Sequence, residues 1–191
     1  MRNITLNDAY GDKKVIVPGK TLQELNKILS GEQDEIAQLF FSENHLMFLF
    51  GETTVVTRLI EGNYFDVDKM ISNDFETKVK VNKRDLLSCI DRATLLSKEG
   101  DKKPVVMSFH DNTMKISMKS FIGSMNEELD IAKEGKNLEI GFNPNFFIDA
   151  LRAIDDEEVT LYLINQKYPC IIKDDKGTYL YLILPVNFIN S

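Results

Sequence analysis

The sequence predicts an α+β protein made of repeated β-α-β-β-β units, with helices on one face of antiparallel sheets. Three observations predict it. Helical segments begin near Thr21, Lys83 and Pro144, a repeat of about 60 residues. One extended run precedes each helix and three follow it. Each helix also opens on a polar cap or a proline, the residue types that satisfy or avoid free amides at a helix start.

In the first unit Lys14-Val15-Ile16-Val17 is the leading run and Pro18-Gly19 the break. Thr21 and Glu24 have the T-x-x-E spacing of a capping box, in which each side chain takes up a backbone amide. Leu22, Leu25, Ile28 and Leu29 recur at helical spacing as an apolar face, and Gly31 closes the helix. Strands are expected over residues 36–41, 45–50 and 53–58, joined by turns at Ser42-Glu43-Asn44 and Gly51-Glu52. The second unit opens on an alternating run over residues 75–81. Asn82 caps a helix with apolar Leu86, Leu87, Ile90, Ala93 and Leu95, and strands follow over residues 105–109, 113–120 and 124–131. The third has a run over residues 138–142, then Asn143 as cap and Pro144 at the first helical position. Phe146, Phe147, Ala150, Leu151 and Ile154 form its apolar face, with strands over residues 159–164, 170–173 and 178–185.

Two such units make a two-layer domain, so three leave one without its mate. The sequence therefore reads as a piece of a longer protein. Residues 1–73 are expected to be half a domain with a connector over residues 61–73, and residues 74–191 a complete domain.

Composition narrows the function. Of 191 residues, 43% are hydrophobic and 28% charged, which fits a folded domain and excludes a disordered tail. The longest apolar stretch, residues 179–186, falls far short of the roughly 20 residues of a membrane span. The start Met1-Arg2-Asn3-Ile4-Thr5 lacks the apolar run of a secretory signal. Cys89 and Cys170 sit apart in apolar settings and read as reduced, buried thiols of a cytoplasmic protein. The net charge of -7 disfavours a nucleic-acid partner if spread evenly, but a ring or cleft protein can be acidic outside and basic within.

No catalytic or metal constellation stands out, and no cofactor is implied. Gly19-Lys20-Thr21 ends like a phosphate-binding loop, but that loop needs a glycine where Lys14 stands. His45 and His110 have no further ligand at metal spacing. Ser42, Ser88 and Ser97 lack a nucleophile elbow. Asp155-Asp156-Glu157-Glu158 lacks the spacing of a calcium loop and reads as a solvated turn. The helices carry Lys20 and Lys27, then Lys83, Arg84, Arg92 and Lys98, then Arg152, interrupted by Glu24, Asp85, Asp91 and Asp149. Such a stripe is either a solvated face or a weak, sequence-independent phosphate surface. Residues 179–186 read as a buried last strand; the apolar Val186, Phe188 and Ile189 beyond Pro185 suggest part of a peptide-binding surface.

Five stretches carry a family resemblance: Val15-Ile16-Val17-Pro18-Gly19-Lys20, Thr57-Arg58-Leu59-Ile60-Glu61-Gly62-Asn63-Tyr64, Asp91-Arg92-Ala93-Thr94-Leu95-Leu96-Ser97, Ile140-Gly141-Phe142-Asn143 and Tyr181-Leu182-Ile183-Leu184-Pro185-Val186. In order and spacing they resemble the bacterial sliding clamp, the beta subunit of DNA polymerase III, over nearly the whole chain. The resemblance implies the DNA-clamp fold: a two-subunit ring of three-domain subunits, helices lining the hole and sheets outside. This chain would be the second half of the middle domain and the whole C-terminal domain.

The implied role is processivity in DNA replication, encircling duplex DNA without chemistry of its own. The implied partners are that DNA, held without sequence preference, and the replicative polymerase, clamp loader and repair proteins, which bind through short peptide motifs. No membrane is involved. By resemblance Lys20, Lys27, Lys83, Arg84, Arg92 and Arg152 are candidates to face DNA. A glutamine-, leucine- and phenylalanine-containing peptide would meet Phe65, Lys69 and Met70, Asn143 and Phe146, and Leu182, Ile183, Leu184, Pro185 and Val186. The family usually has proline where this chain has Phe65, and often arginine at Lys69. Part of the pocket wall would belong to the missing half-domain. The homodimer contact would use Leu95, Leu96 and the edge run over residues 120–129, including Met125, Glu127 and Leu129. Alone, the chain is expected to be a monomer or a non-native dimer. The alternative is a protein-interaction module that never meets DNA.

Overall fold

The computed structural model describes residues 1–29, 36–64, 71, 74–96 and 103–188. The chain divides into two compact units, a smaller one over Leu6–Val67 and a larger one formed by Met1–Thr5 with Asp68–Ser191.

In the smaller unit helix α1 (Gly19–Ile28) is followed by β1 (Gln38–Phe41), β2 (His45–Phe50) and β3 (Thr53–Arg58). The three strands form one antiparallel sheet in the order β1-β2-β3. Two expectations fail here. The run over residues 14–17 forms no strand; Ile16 is tied by its carbonyl to the Ile60 amide at 2.9 Å. The capping box does not form either: the helix starts two residues before Thr21 and has no side-chain cap. Thr21 Oγ1 instead shares a hydrogen bond with Thr57 Oγ1 at 2.8 Å, and Glu24 pairs with Lys27 at 2.9 Å. Of the expected apolar helix face only Leu25 is buried, beneath Leu46, Phe48 and Phe50 of β2. Gly31 lies outside the described residues.

The larger unit runs β4 (Thr77–Asn82), α2 (Lys83–Thr94), β5 (Val105–His110), β6 (Thr113–Lys119), β7 (Ser124–Asp130), β8 (Ala132–Gly135) and β9 (Leu138–Phe142). It continues with α3 (Pro144–Arg152), β10 (Glu158–Leu163), β11 (Cys170–Lys173) and β12 (Leu180–Ile183). Both helix starts form as the residue types require. Asn82 accepts from the Arg84 and Asp85 amides at 2.9 and 3.2 Å. Asn143 accepts from the Asn145 amide at 3.1 Å, with Pro144 where a missing amide costs nothing.

The pairing crosses between repeats. One sheet has the order β12-β11-β10-β4-β8 and the other β7-β6-β5-β9. The strand leading into each helix therefore joins the three strands of the other repeat: β4 pairs with β10, and β9 with β5. This exchange fuses two repeats around one continuous core that includes Leu86, Ile90, Phe109, Ile140, Phe142, Phe147 and Leu161. It also explains the failed strand of the smaller unit, where the run over residues 14–17 has no second repeat to join among the described residues. β8, which the sequence pattern does not predict, pairs with β4 as a short outer strand. Its end needs Gly135, which has φ +94° and would put a Cβ 2.0 Å from the Glu76 carbonyl oxygen. The expected helix face of α2 gains Cys89, fully buried, and loses Leu95, which is 76% exposed.

Candidate functional site

After β12 the chain moves from one sheet of the larger unit to the other. Leu182 and Ile183 pair with Ile171 and Cys170 of β11. Two residues further on, Pro185 lies opposite Phe142 at the end of β9, and the Val186 amide donates to the Gly141 carbonyl at 2.8 Å. That bridge sets the crossing segment beside the start of α3, because Asn143 directly follows Phe142. Helix α3 also packs on β12. Asn143, Phe146 and residues 182–186 therefore share one corner of the larger unit. Ile183 is buried there, Leu182, Pro185 and Val186 are half-buried, and Phe146 and Leu184 are 53% and 52% exposed. Phe147, the neighbour of Phe146, turns inward and meets Phe142 edge-on, with ring centroids 4.9 Å apart. The corner is thus an apolar ledge on a buried base. Phe65, Lys69 and Met70 lie outside the described residues.

The basic residues of the helices are largely engaged within the protein. Lys83 Nζ donates to the Ile154 carbonyl at 2.6 Å, tying the start of α2 to the chain after α3. Arg152 reaches Asp91 at 3.3 Å and joins the two helices. Arg92 forms a fork onto Glu127, its Nε donating to Oε1 at 2.7 Å and its Nη2 to Oε2, and so ties α2 to β7. That hydrogen bond holds the Glu127 carboxyl below the usual carboxylate range. In the smaller unit Lys27 is held by Glu24. Among the described residues Lys20 and Arg84 have no such partner. Spacing could not reveal these pairings, since Arg92 and Glu127 are 35 residues apart.

Strand β7 pairs with β6 along one side, and its other side carries no strand among the described residues. Met125 and Leu129 turn toward the core and pack against it, as does Leu96. What stays open at this edge is the backbone of β7, Leu95, and the tip of the β6–β7 hairpin. Phe121 at that tip is 97% exposed, with Lys103 Nζ 5.0 Å from its ring centroid. The sequence signal for Phe121 and Ile122 was two large apolar residues directly before a turn glycine.

Cys89 and Cys170 are free and buried. Among the described residues no group of three or more His, Cys, Asp or Glu side chains could hold a metal ion, and no helix is long and apolar enough to cross a membrane.

Comparison with known proteins gives a consistent result. Residues 68–187 match the family model described as DNA polymerase III beta subunit, C-terminal domain, and residues 1–66 match that of the central domain. The chain is 38% identical over 189 residues to the beta sliding clamp of Staphylococcus epidermidis, covering 97% of this chain and 50% of the relative. It is 37% identical to the beta sliding clamp of Staphylococcus aureus over 191 residues, with the same coverage. A DNA polymerase III beta subunit from Eubacterium rectale superposes with a TM-score of 0.92 at 60% identity, over 98% of this chain and 51% of that one. The DNA polymerase sliding clamp of Bacillus subtilis gives 0.82 at 33% identity, over 92% and 47%. The chain spans about half the length of the curated relatives it matches.

Proposed function

The chain belongs to the DNA polymerase III beta-subunit family, and from that premise we propose that it supplies part of a sliding clamp. In this reading it is a non-catalytic cytoplasmic processivity factor that encircles duplex DNA and tethers the replicative polymerase. The clamp loader and repair proteins would dock at the same place. Residues 1–73 represent the second half of the middle domain with its connector, and residues 74–191 the complete C-terminal domain. The ledge of Asn143, Phe146 and residues 182–186 is the C-terminal wall of the partner-peptide pocket. Lys20, Lys27, Lys83, Arg84, Arg92 and Arg152 face the DNA. Leu95, Leu96, Met125, Glu127 and Leu129 belong to the ring interface, in which the free edge of β7 is extended by a strand of the next subunit.

The observation that carries the reading is the ledge, where two stretches about 40 residues apart in sequence meet as a partly exposed apolar surface over a buried base. The internal pairing of Lys83, Arg92 and Arg152 supports weak, sequence-independent DNA contact. A protein held on DNA by a closed ring needs few phosphate bonds, so an acidic chain can serve.

Titration of the isotope-labelled chain with a peptide containing glutamine, leucine and phenylalanine tests the site. Amide shifts confined to residues 143–146, 182–186 and the connector are expected. Silence in this chain and in a full-length ring alike would overturn the reading. The same internal pairing also favours a second reading, an interaction module without DNA contact. Retention of the full-length ring on circular duplex DNA separates the two: retention that is lost when the DNA is linearised supports the clamp, and no retention on either form supports the module. Alone, the chain should run as a monomer or a dimer paired through β7, and a stable closed ring in a size measurement would contradict this.

A further inference from the structure

The crossing segment of the ledge is thinly held. Its pairing with β11 ends at Ile183, and Pro185 has no amide to donate, so the Val186 amide to Gly141 is the bond that begins its attachment to β9. Beyond it, Phe188 meets Gly141 at close range. A Cβ at residue 141 would stand 2.7 Å from Phe188 Cδ1 and 2.9 Å from the Val186 carbonyl oxygen, closer than real side chains approach. Ile140 and Phe142 point into the core, so Gly141 between them presents bare backbone on the opposite face of the sheet. Phe188 occupies that notch from outside and takes no part in the core cluster.

We propose that Phe188 is a positioning residue for the peptide ledge. Its ring, seated in the notch left by Gly141, latches the segment over residues 184–186 to β9 and fixes the ledge beside Asn143 and Phe146. The latch sets peptide affinity without touching the peptide: a released segment must be reordered before a peptide can bind, and that ordering weakens binding. This role rests on the reading of the corner as a peptide site.

Two measurements on the full chain test it: hydrogen exchange at the Val186 amide, and the peptide dissociation constant from the amide-shift titration. Phe188→Ala and Gly141→Ala break the latch from its two sides; Phe188→Leu partly refills the notch. The expected result for both latch-breaking variants is Val186 exchange faster by about tenfold and peptide binding weaker by up to about tenfold. Phe188→Leu should recover part of each, and exchange at the core amides of Ile90 and Phe109 should not move in the Phe188 variants. Unchanged Val186 exchange in Phe188→Ala overturns the latch. Faster exchange with unchanged affinity overturns its role in binding. A wild-type chain that does not respond to peptide, in this form or in a full-length ring, overturns the peptide reading and this role with it. The exchange data then still report separately whether the latch exists.

Discussion

The two units of this chain follow one sequence pattern and reach very different degrees of burial. The larger unit holds twenty-seven buried apolar residues in one cluster, and the smaller holds four, Leu25, Leu46, Phe48 and Phe50, among the described residues. Helix α1 has as regular an apolar face as α2, yet Leu22, Ile28 and Leu29 stay exposed. The difference lies in strand exchange. In the larger unit each leading strand completes the sheet of the other repeat, as β4 does beside β10 and β9 beside β5. A single repeat has neither a sheet to join nor a second helix to pack beside its own. Amphipathic patterning thus specifies which face can be buried, and the neighbouring repeat decides whether it is.

Core truncation tests that difference most forcefully. Phe109→Ala empties a fully buried site in the larger unit and should cost about 3–5 kcal/mol. Phe48→Ala removes the same side chain beneath a half-covered sheet in the smaller unit, where about half that loss is expected because the surroundings can collapse or hydrate. Urea unfolding followed through resolved amide signals of each unit measures both. Equal losses would show that the smaller unit is packed as tightly as the larger.

Alkaline pH should separate the units next. Burial pushes the Cys89 thiol up to about 12, and burial raises Cys170 further. Burial, together with the hydrogen bond to Asp156, also raises Tyr179. All three lie in the larger unit. An unfolded thiol loses its proton near pH 8.5, so above that point the unfolded chain binds fewer protons than the folded one and stability falls as pH rises. The stabilisation is complete below that pH and is lost progressively toward pH 12. The slope should approach about 1.4 kcal/mol per pH unit for each thiol, with Tyr179 adding above about pH 10. Urea midpoints at pH 8 and pH 10 should therefore drop for the larger unit and hold for the smaller, which contains neither cysteine. Cys170→Ala should remove about half of the slope between pH 9 and 10. An unchanged slope in that variant would mean that Cys170 ionises equally in both states.

What the sequence made legible follows the same division. Strands β2, β3, β5, β6, β9 and β11 and the starts of α2 and α3 are local matters of alternation, turn residues and caps, and they could be read residue by residue. The exchange of β4 and β9 between sheets could not, because it depends on contacts between residues tens of positions apart. The short strand β8 exists only as an added edge on β4, and its composition carries no alternating signal. The ledge residues were legible through resemblance, whereas the notch at Gly141 that accepts Phe188 is a contact across 47 positions that no local pattern announces. The basic residues of α2 and α3 were legible as charges but not as pairs. The partners of Arg92 and Arg152 come from β7 and from the opposite helix.

Helix caps give the finest comparison, because a side-chain cap forms at α2 and none forms at α1. Asn82 stands just outside α2 with extended backbone, so its side chain can turn back onto two amides that otherwise lack partners. Asn82→Ala should destabilise the larger unit by about 1 kcal/mol. Glu24 has the spacing that a capping partner needs, but α1 begins at Gly19, which places Thr21 inside the first turn rather than before it. Thr21 is drawn instead to Thr57 on β3, and Glu24 is left with an exposed pair to Lys27. Glu24→Ala should therefore change the stability of the smaller unit by no more than about 0.5 kcal/mol. Thermal or urea unfolding of the two variants, read through the amides of α2 and α1, checks the contrast. A loss near that of a cap for Glu24→Ala would restore the capping box, with Thr21 as the cap and α1 beginning at Leu22. Pro18 favours the earlier start, because its fixed φ leads directly into the helix, and the Thr21 and Leu22 amides both reach its carbonyl.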